Sequence, residues 1–259
     1  MRTVTNIKEI HDIELNIMKY IDRICEKYDI AYYLYGGTLI GAIRHKGFIP
    51  WDDDFDICMP RPDYNRFVKL MKKNESERFS FKCIENGKKR YNYCFGKMID
   101  NNTIVKEEGK FEGEELGVWV DVFPIDGVGD DLEKAKSIIE KNRKIVNQIL
   151  NLEYGKTINL KGKILYLLGR KKLYRVLKHN MMKNDFYNSK YVTDIGTITP
   201  NRIWHSNSMR ESVRSQFEDC SFYIPIDSDD YLKAEYGDYM KLPPEDERVQ
   251  THNLKVIIK

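Results

Sequence analysis

Four aspartates stand within five positions, in Asp52-Asp53-Asp54-Phe55-Asp56, flanked by Pro50, Trp51 and Ile57. Asp54-Phe55-Asp56-Ile57 has the alternation of a strand start. That places Asp54 and Asp56 on one face and Phe55 and Ile57 on the other. Two carboxylates one pleat apart repel each other unless a cation lies between them. An all-oxygen pair of this kind suits Mg²⁺ or Mn²⁺ rather than zinc, and carboxylate-held Mg²⁺ is a usual partner of nucleotide phosphates. Asp52 shares the parity of Asp54 and Asp56 but lies nearer the loop. It is expected beside the ion, at a second ion, or in activating an acceptor. Asp53 points the other way, as a turn or ion-pair residue.

The elements that position these carboxylates are legible around them. Tyr32–Tyr35 has strand composition and runs into Gly36-Gly37-Thr38, after which Leu39–Arg44 has the look of a short helix. The two glycines let backbone approach a phosphate closely. Thr38 is expected to cap the helix, whose first amides would face an anion. Arg44, His45 and Lys46 form a cationic loop between the glycines and the acids. Arg44 suits a bidentate phosphate grip and Lys46 a point charge, while His45 fits a phosphate contact or a loop hydrogen bond equally. In Gly117–Phe123 the valines take one face and Trp119, Asp121 and Phe123 the other. A single acid in that apolar strand is costly to bury alone, and a cation shared with Asp54 and Asp56 would partner it. Asp126, beyond Pro124, reads as a turn residue. Lys97 stands in apolar company on another expected strand, either contacting phosphate or exposed at a sheet edge.

The ordered run Gly36-Gly37-Thr38, Gly41-Ala42-Ile43-Arg44-His45-Lys46-Gly47-Phe48-Ile49-Pro50-Trp51 and Asp52–Asp56 resembles the signature of the LicD family. The resemblance is densest over residues 31–65. It continues more weakly through Phe95-Gly96-Lys97, Trp119–Pro124 and Tyr236–Pro244, and carries little over 130–200. LicD proteins are nucleotidyltransferase-like and include bacterial phosphocholine transferases, with the eukaryotic fukutin-related ribitol-phosphate transferases as distant relatives. The resemblance implies a nucleotidyltransferase-like α+β fold, a mixed sheet flanked by helices with a mainly helical C-terminal portion. It implies a third acidic residue on a neighbouring strand, which Asp121 fits. It further implies transfer of a substituted phosphate, foremost phosphocholine from CDP-choline, to a sugar hydroxyl of a glycan or glycolipid. Asp52 or Asp121 would take the acceptor proton. Two alternatives stand beside it: transfer of a nucleoside monophosphate from a nucleoside triphosphate to a small hydroxylated substrate, and a non-catalytic nucleotide- or glycan-binding module.

At 259 residues the chain has room for a sizeable core. We divide it into a catalytic part, 1–128, and a C-terminal part, 129–259, that completes the donor and acceptor site. The net charge of +3 does not demand a polyanionic partner, and no nucleic acid is expected. No run approaches the roughly 18 apolar residues of a membrane span. Cys25, Cys58, Cys83, Cys94 and Cys220 are odd in number and include no C-x-x-C pair. A disulfide framework or structural zinc is therefore not expected, and the composition suits a reduced, cytoplasmic protein.

Along the chain, residues 6–28 read as an amphipathic helix with Ile7, Ile10, Ile17, Ile21 and Ile24 on one face. A second helix follows Pro62, with Tyr64, Phe67, Val68 and Met71 inward. Strands at 79–84 and 91–100 are expected to meet at an Asn86-Gly87 turn. The span 160–183 carries eight basic residues and no acid. We read it foremost as a core-packed helix with a solvated basic face, with an anionic membrane surface as the alternative partner. A helix begun near Asp229 ends at Tyr236-Gly237-Asp238, and Arg248 and His252 lie on a tail placed to fold back over the site and contact phosphate.

Overall fold

The computed structural model describes residues 1–74, 76–84, 93–107, 116–153, 160–197, 203–250, 252 and 254–259, with backbone alone at 150–153, 160–168, 170 and 171. A short strand β1 (Arg2–Thr3) precedes helix α1 (Ile7–Tyr28). The Asn6 side chain caps α1 by accepting from the Lys8 N–H. Ile10, Ile17 and Ile21 are buried on its inner face, as their spacing predicts. Next come β2 (Tyr33–Leu34) and α2 (Gly36–Ile40), which runs on as a wider π-turn over Gly41–His45. The N-terminal half continues through β3 (Asp56–Pro60), α3 (Arg61–Met71), β4 (Phe79–Lys82), β5 (Gly96–Asp100), β6 (Thr103–Glu107) and β7 (Trp119–Gly129). Helix α3 buries Tyr64, Phe67, Val68 and Met71, the face expected. The Asn86-Gly87 turn lies outside the described residues. The remainder comprises α4 (Leu132–Glu153), α5 (Leu160–Met181), β8 (Tyr191–Thr193), β9 (Trp204–His205), β10 (Ser212–Phe217), β11 (Cys220–Pro225), α6 (Ser228–Tyr236) and β12 (Leu254–Ile258).

The fold is α+β around a mixed sheet ordered β2-β3-β7-β5-β4, with β8 and β9 added beyond β7. Among the described residues, only β3 and β7 pair in parallel within it. Both are covered on two sides: Ile57, Cys58 and Met59 on β3 and Val120, Val122 and Ile125 on β7 are fully buried. That is the usual condition of a parallel pair. A second sheet sets β12 between β1 and β6, so the C-terminal strand joins elements from the chain's first half. The main core likewise draws on Val192, Trp204, Phe217, Phe222, Tyr231 and Val256 together with the N-terminal elements.

Helices α4 and α5 pack against each other over a smaller cluster containing Val146, Ile149, Leu177 and Met181. Among the described side chains of α5, Lys172, Arg175 and Lys178 are exposed while Leu173 and Tyr174 pack on that cluster. No helix among the described residues is long and apolar enough to cross a membrane.

One expectation is corrected here. Asp126 is no turn residue, because β7 runs straight through Pro124. The Asp121 N–H bonds to the Phe55 carbonyl on the β3 side. Strand N–H groups alternate in direction, so the position of Pro124 faces the β5 side. There the β5 ladder has already ended at the Gly96–Val122 pair, and the missing donor costs no sheet bond. Asp126 is fully buried and receives both arms of Arg61, at 2.5 Å from Nε and 2.9 Å from Nη2. Removing one member of such a pair strands a buried charge. Asp126→Ala should therefore lower the unfolding free energy by about 3–5 kcal/mol in a urea titration. A change below about 1 kcal/mol, the range of an exposed pair, would contradict this role.

Candidate active site

The pairing of three strands builds the centre of the site. Asp56 on β3 stands opposite Asp121 on β7, and Lys97 on β5 stands opposite Asp121 from the other side. Residues in register across a sheet share a face, so Asp56, Asp121 and Lys97 form one row. The Lys97 ammonium donates to Asp121 Oδ1 at 2.6 Å. It also lies 4.1 Å from the ring centre of Trp119 and 4.4 Å from that of Tyr93. Lys97 is buried on an interior strand, which removes the exposed edge lysine considered from the sequence. Its ammonium stands in the acidic row, held by Asp121. The acidic strand begins at Asp56 rather than Asp54, yet the expected parity holds. Phe55 and Ile57 are fully buried, and Asp54 and Asp56 remain partly accessible.

Helix α2 brings two glycines against these carboxylates. Gly36 has φ +56°, the left-handed region. A Cβ there would stand 3.2 Å from Asp56 Oδ2 and 3.5 Å from the Tyr236 hydroxyl. At Gly37 it would come within 2.7 Å of Asp52 Oδ2. A side chain at either position would crowd the acids it faces. Thr38 does not cap the helix, because α2 starts two residues earlier with Tyr35 at the cap position. Its hydroxyl instead accepts from the Asp56 N–H at 2.8 Å and ties α2 to β3.

The cationic residues surround this centre in different ways. Arg44 donates through Nη1 to the carbonyls of Tyr239 and Lys241, at 2.5 and 3.2 Å, and so braces the segment after α6. His45 meets the Trp51 ring edge-on, while Lys46 is exposed with φ +59°. Arg248 lies over the other approach to Trp51, 5.6 Å from its centre, and donates to the Pro243 carbonyl. The tail does fold back on the acidic loop: the His252 backbone N–H donates to Asp53, and His252 Nδ1 lies 3.1 Å from Asp53 Oδ1 and 3.9 Å from Asp54 Oδ2. Asp53 thus points away from the other acids, as its parity suggested, and takes His252 as its partner.

Residues 29–144 match the family described as LicD/FKTN/FKRP, nucleotidyltransferase domain. Over 257 residues the chain is 32% identical to a Haemophilus influenzae protein named lipopolysaccharide cholinephosphotransferase LicD, a match spanning 95% of this chain and 96% of the relative. The chain belongs to the LicD family. A shorter stretch of 52 residues is 36% identical to human ribitol 5-phosphate transferase FKRP and covers 20% of this chain and 10% of that protein. With nearly its whole length aligned to a named transferase, this chain is a LicD-type transferase.

The electrostatics of this LicD site are those of an acid cluster short of positive charge. Burial pushes the Asp52 carboxyl up to about 8, helped by the adjacent Asp54 and Asp53 charges. Burial also raises Asp54, and it holds Asp56 well above the carboxylate range, reinforced by Asp54, Asp121 and Asp52. Asp121 is raised by burial against the opposing pull of Lys97. Among the described residues, no group of three or more His, Cys, Asp or Glu side chains has the geometry of a ready-made metal site. The fit to a divalent cation is one of donor type and charge. The carboxylates are oxygen-only donors suited to Mg²⁺ or Mn²⁺, and they repel one another without a counter-charge between them.

Two residues near the centre escaped the sequence reading. His11 on α1 donates from Nε2 to the Asp52 carbonyl at 2.7 Å, and its ring stacks on Phe48. Glu14, one turn later, is buried and raised well above the carboxylate range by burial and then by Asp54, Asp52, Asp53 and Asp121. The available signal was an acid at the position between Ile10 and Ile17 on an apolar helix stripe.

The folded LicD chain holds the Asp52 proton to about pH 8, whereas an unfolded chain releases it near the ordinary value of about 3.9. Folding is therefore favoured at low pH and loses that advantage as pH rises from about 4 to about 8. In chelator, the melting temperature should fall across this window. Asp52→Asn should flatten the fall and raise the melting temperature at the alkaline end, by about 2–4 °C per kcal/mol of repulsion relieved. A less stable Asp52→Asn variant there would contradict the cluster's electrostatics.

Proposed function

We propose that this chain transfers phosphocholine from CDP-choline to a sugar hydroxyl of a cell-surface glycan of the lipopolysaccharide type. The observation that carries the proposal is the in-register placement of Asp56 opposite Asp121 beneath the Gly36-Gly37 turn, with Asp52 and Asp54 beside them. The near full-length similarity to a cholinephosphotransferase supports the headgroup and the glycan acceptor.

Asp54, Asp56 and Asp121 are assigned to hold Mg²⁺ or Mn²⁺, which when bound neutralises the donor pyrophosphate. Lys97 opposes the upward push of burial on Asp121 by donating to one of its oxygens. The glycine turn sets bare backbone against the acids that would face the phosphates, and the exposed Lys46 stands on the loop between the two. The acceptor hydroxyl attacks the choline-bearing phosphorus. A new oxygen–phosphorus bond forms, the bond to the CMP oxygen breaks, and CMP departs with that electron pair. The acceptor proton goes to Asp52. Its carboxyl faces the Gly37 turn, and burial pushes it up to about 8, so it takes a proton readily near neutrality.

Phosphorus NMR with Mg²⁺, CDP-choline and a glycan acceptor should show CMP together with a new phosphodiester. Asp56→Asn should retain the fold and lose about 10³-fold in rate, in the range set by losing a charge-stabilising group at a reacting phosphate. Pyrophosphate released from CTP, with CDP-choline left intact, would contradict phosphocholine transfer in favour of nucleotidyl transfer. A wild-type rate in Asp56→Asn would contradict the assigned site.

A further inference from the structure

Glu14 occupies a position where an apolar residue would pack at no electrostatic cost. It lies four residues after Ile10 and three before Ile17, on the inner face of α1. Only 2% of its surface is exposed, and its Oε2 has no hydrogen-bond partner among the described residues. A buried carboxyl left this way is costly whether charged or neutral, and it calls for a partner that the described residues do not supply. The position of α1 indicates where that partner belongs. The helix packs on β5 and β7, the strands that carry Lys97 and Asp121. One turn before Glu14, His11 is fastened to the Asp52 carbonyl and stacked on Phe48 at 4.0 Å. His11, Glu14 and Met18 are spaced three and four apart and share one helix face, and all three are buried. That face therefore meets the acidic loop and the row of Asp56 and Asp121.

We propose that Glu14 is a further member of the cation site, a carboxylate carried in from α1 that shares the charge of the ion held by the strand aspartates and raises its affinity. The inference rests on the assignment of that centre to a divalent cation. It makes α1 part of the active site rather than only its support, and it explains why an acid persists in the apolar stripe. Glu14 acts as a positioning residue through the ion and the neighbouring aspartates.

The test is a titration with Mn²⁺ alone, read from the spin-resonance signal of the free ion, on the wild type, Glu14→Gln and Asp56→Asn. Melting curves with chelator and with Mn²⁺ accompany it. Glu14→Gln should bind Mn²⁺ about 10-fold more weakly, the scale of a supporting group at a metal site. It should melt higher than the wild type in chelator and gain less on adding Mn²⁺. Glu14→Met removes the same charge with an apolar helix former, and it serves if the glutamine variant does not fold. If Asp56→Asn loses Mn²⁺ while Glu14→Gln binds and melts like the wild type, Glu14 is a neutral core residue and the cation site stands without it. A wild type that binds no Mn²⁺ overturns the cation site and the role of Glu14 together.

Discussion

Like charges held too close together govern this molecule. The parallel register of β3 and β7 sets Asp56 beside Asp121, and the chain adds Asp54, Asp52 and the buried Glu14 around them. Backbone hydrogen bonds fix that register, so the carboxylates cannot separate without breaking the sheet. Burial then makes their mutual repulsion harder to screen. Lys97 answers one oxygen of Asp121, and His252 answers Asp53 on the far side of the loop. A surplus of negative charge remains at the centre whenever the other carboxyls ionise, and they hold their protons the more tightly for it. Sites of this kind trade stability for readiness to bind a cation and the phosphates that accompany it.

Much of the surrounding architecture follows from holding that surplus in place. Gly36 and Gly37 bring the backbone of α2 against the Asp56 and Asp52 carboxylates without a side chain intervening. Thr38 locks α2 to the first residue of β3. Arg44 fastens the segment after α6 over the same turn. The buried Arg61–Asp126 pair anchors the start of α3 to the far half of β7. The C-terminal strand β12 pairs with β1 and β6 and carries His252 back to the acidic loop. Residues from both ends of the chain thus frame one site.

The parts of this site that the sequence made legible were those governed by local geometry. Strand parity placed Asp54 with Asp56 and separated Asp53, and the lone acid among valines marked Asp121. The apolar stripes of α1 and α3 emerged at their helical spacing. Long-range pairing was not legible. Nothing near Lys97 in sequence says that its strand lies against Asp121, and nothing near Asp126 names Arg61 as its partner. Thr38 resembled a cap because α2 begins at a left-handed glycine, a start that composition does not reveal. Glu14 was hidden by the abundance of charge in α1, although its position on the stripe was readable.

Crystals grown with Mn²⁺ and CDP-choline, examined at the manganese absorption edge, would test the assigned centre most directly. An anomalous peak bounded by Asp54, Asp56 and Asp121, with the donor pyrophosphate beside the Gly36-Gly37 turn, is the expected result. A peak elsewhere in the molecule, or donor bound with no ion among these aspartates, would contradict the central role given to the β3–β7 register.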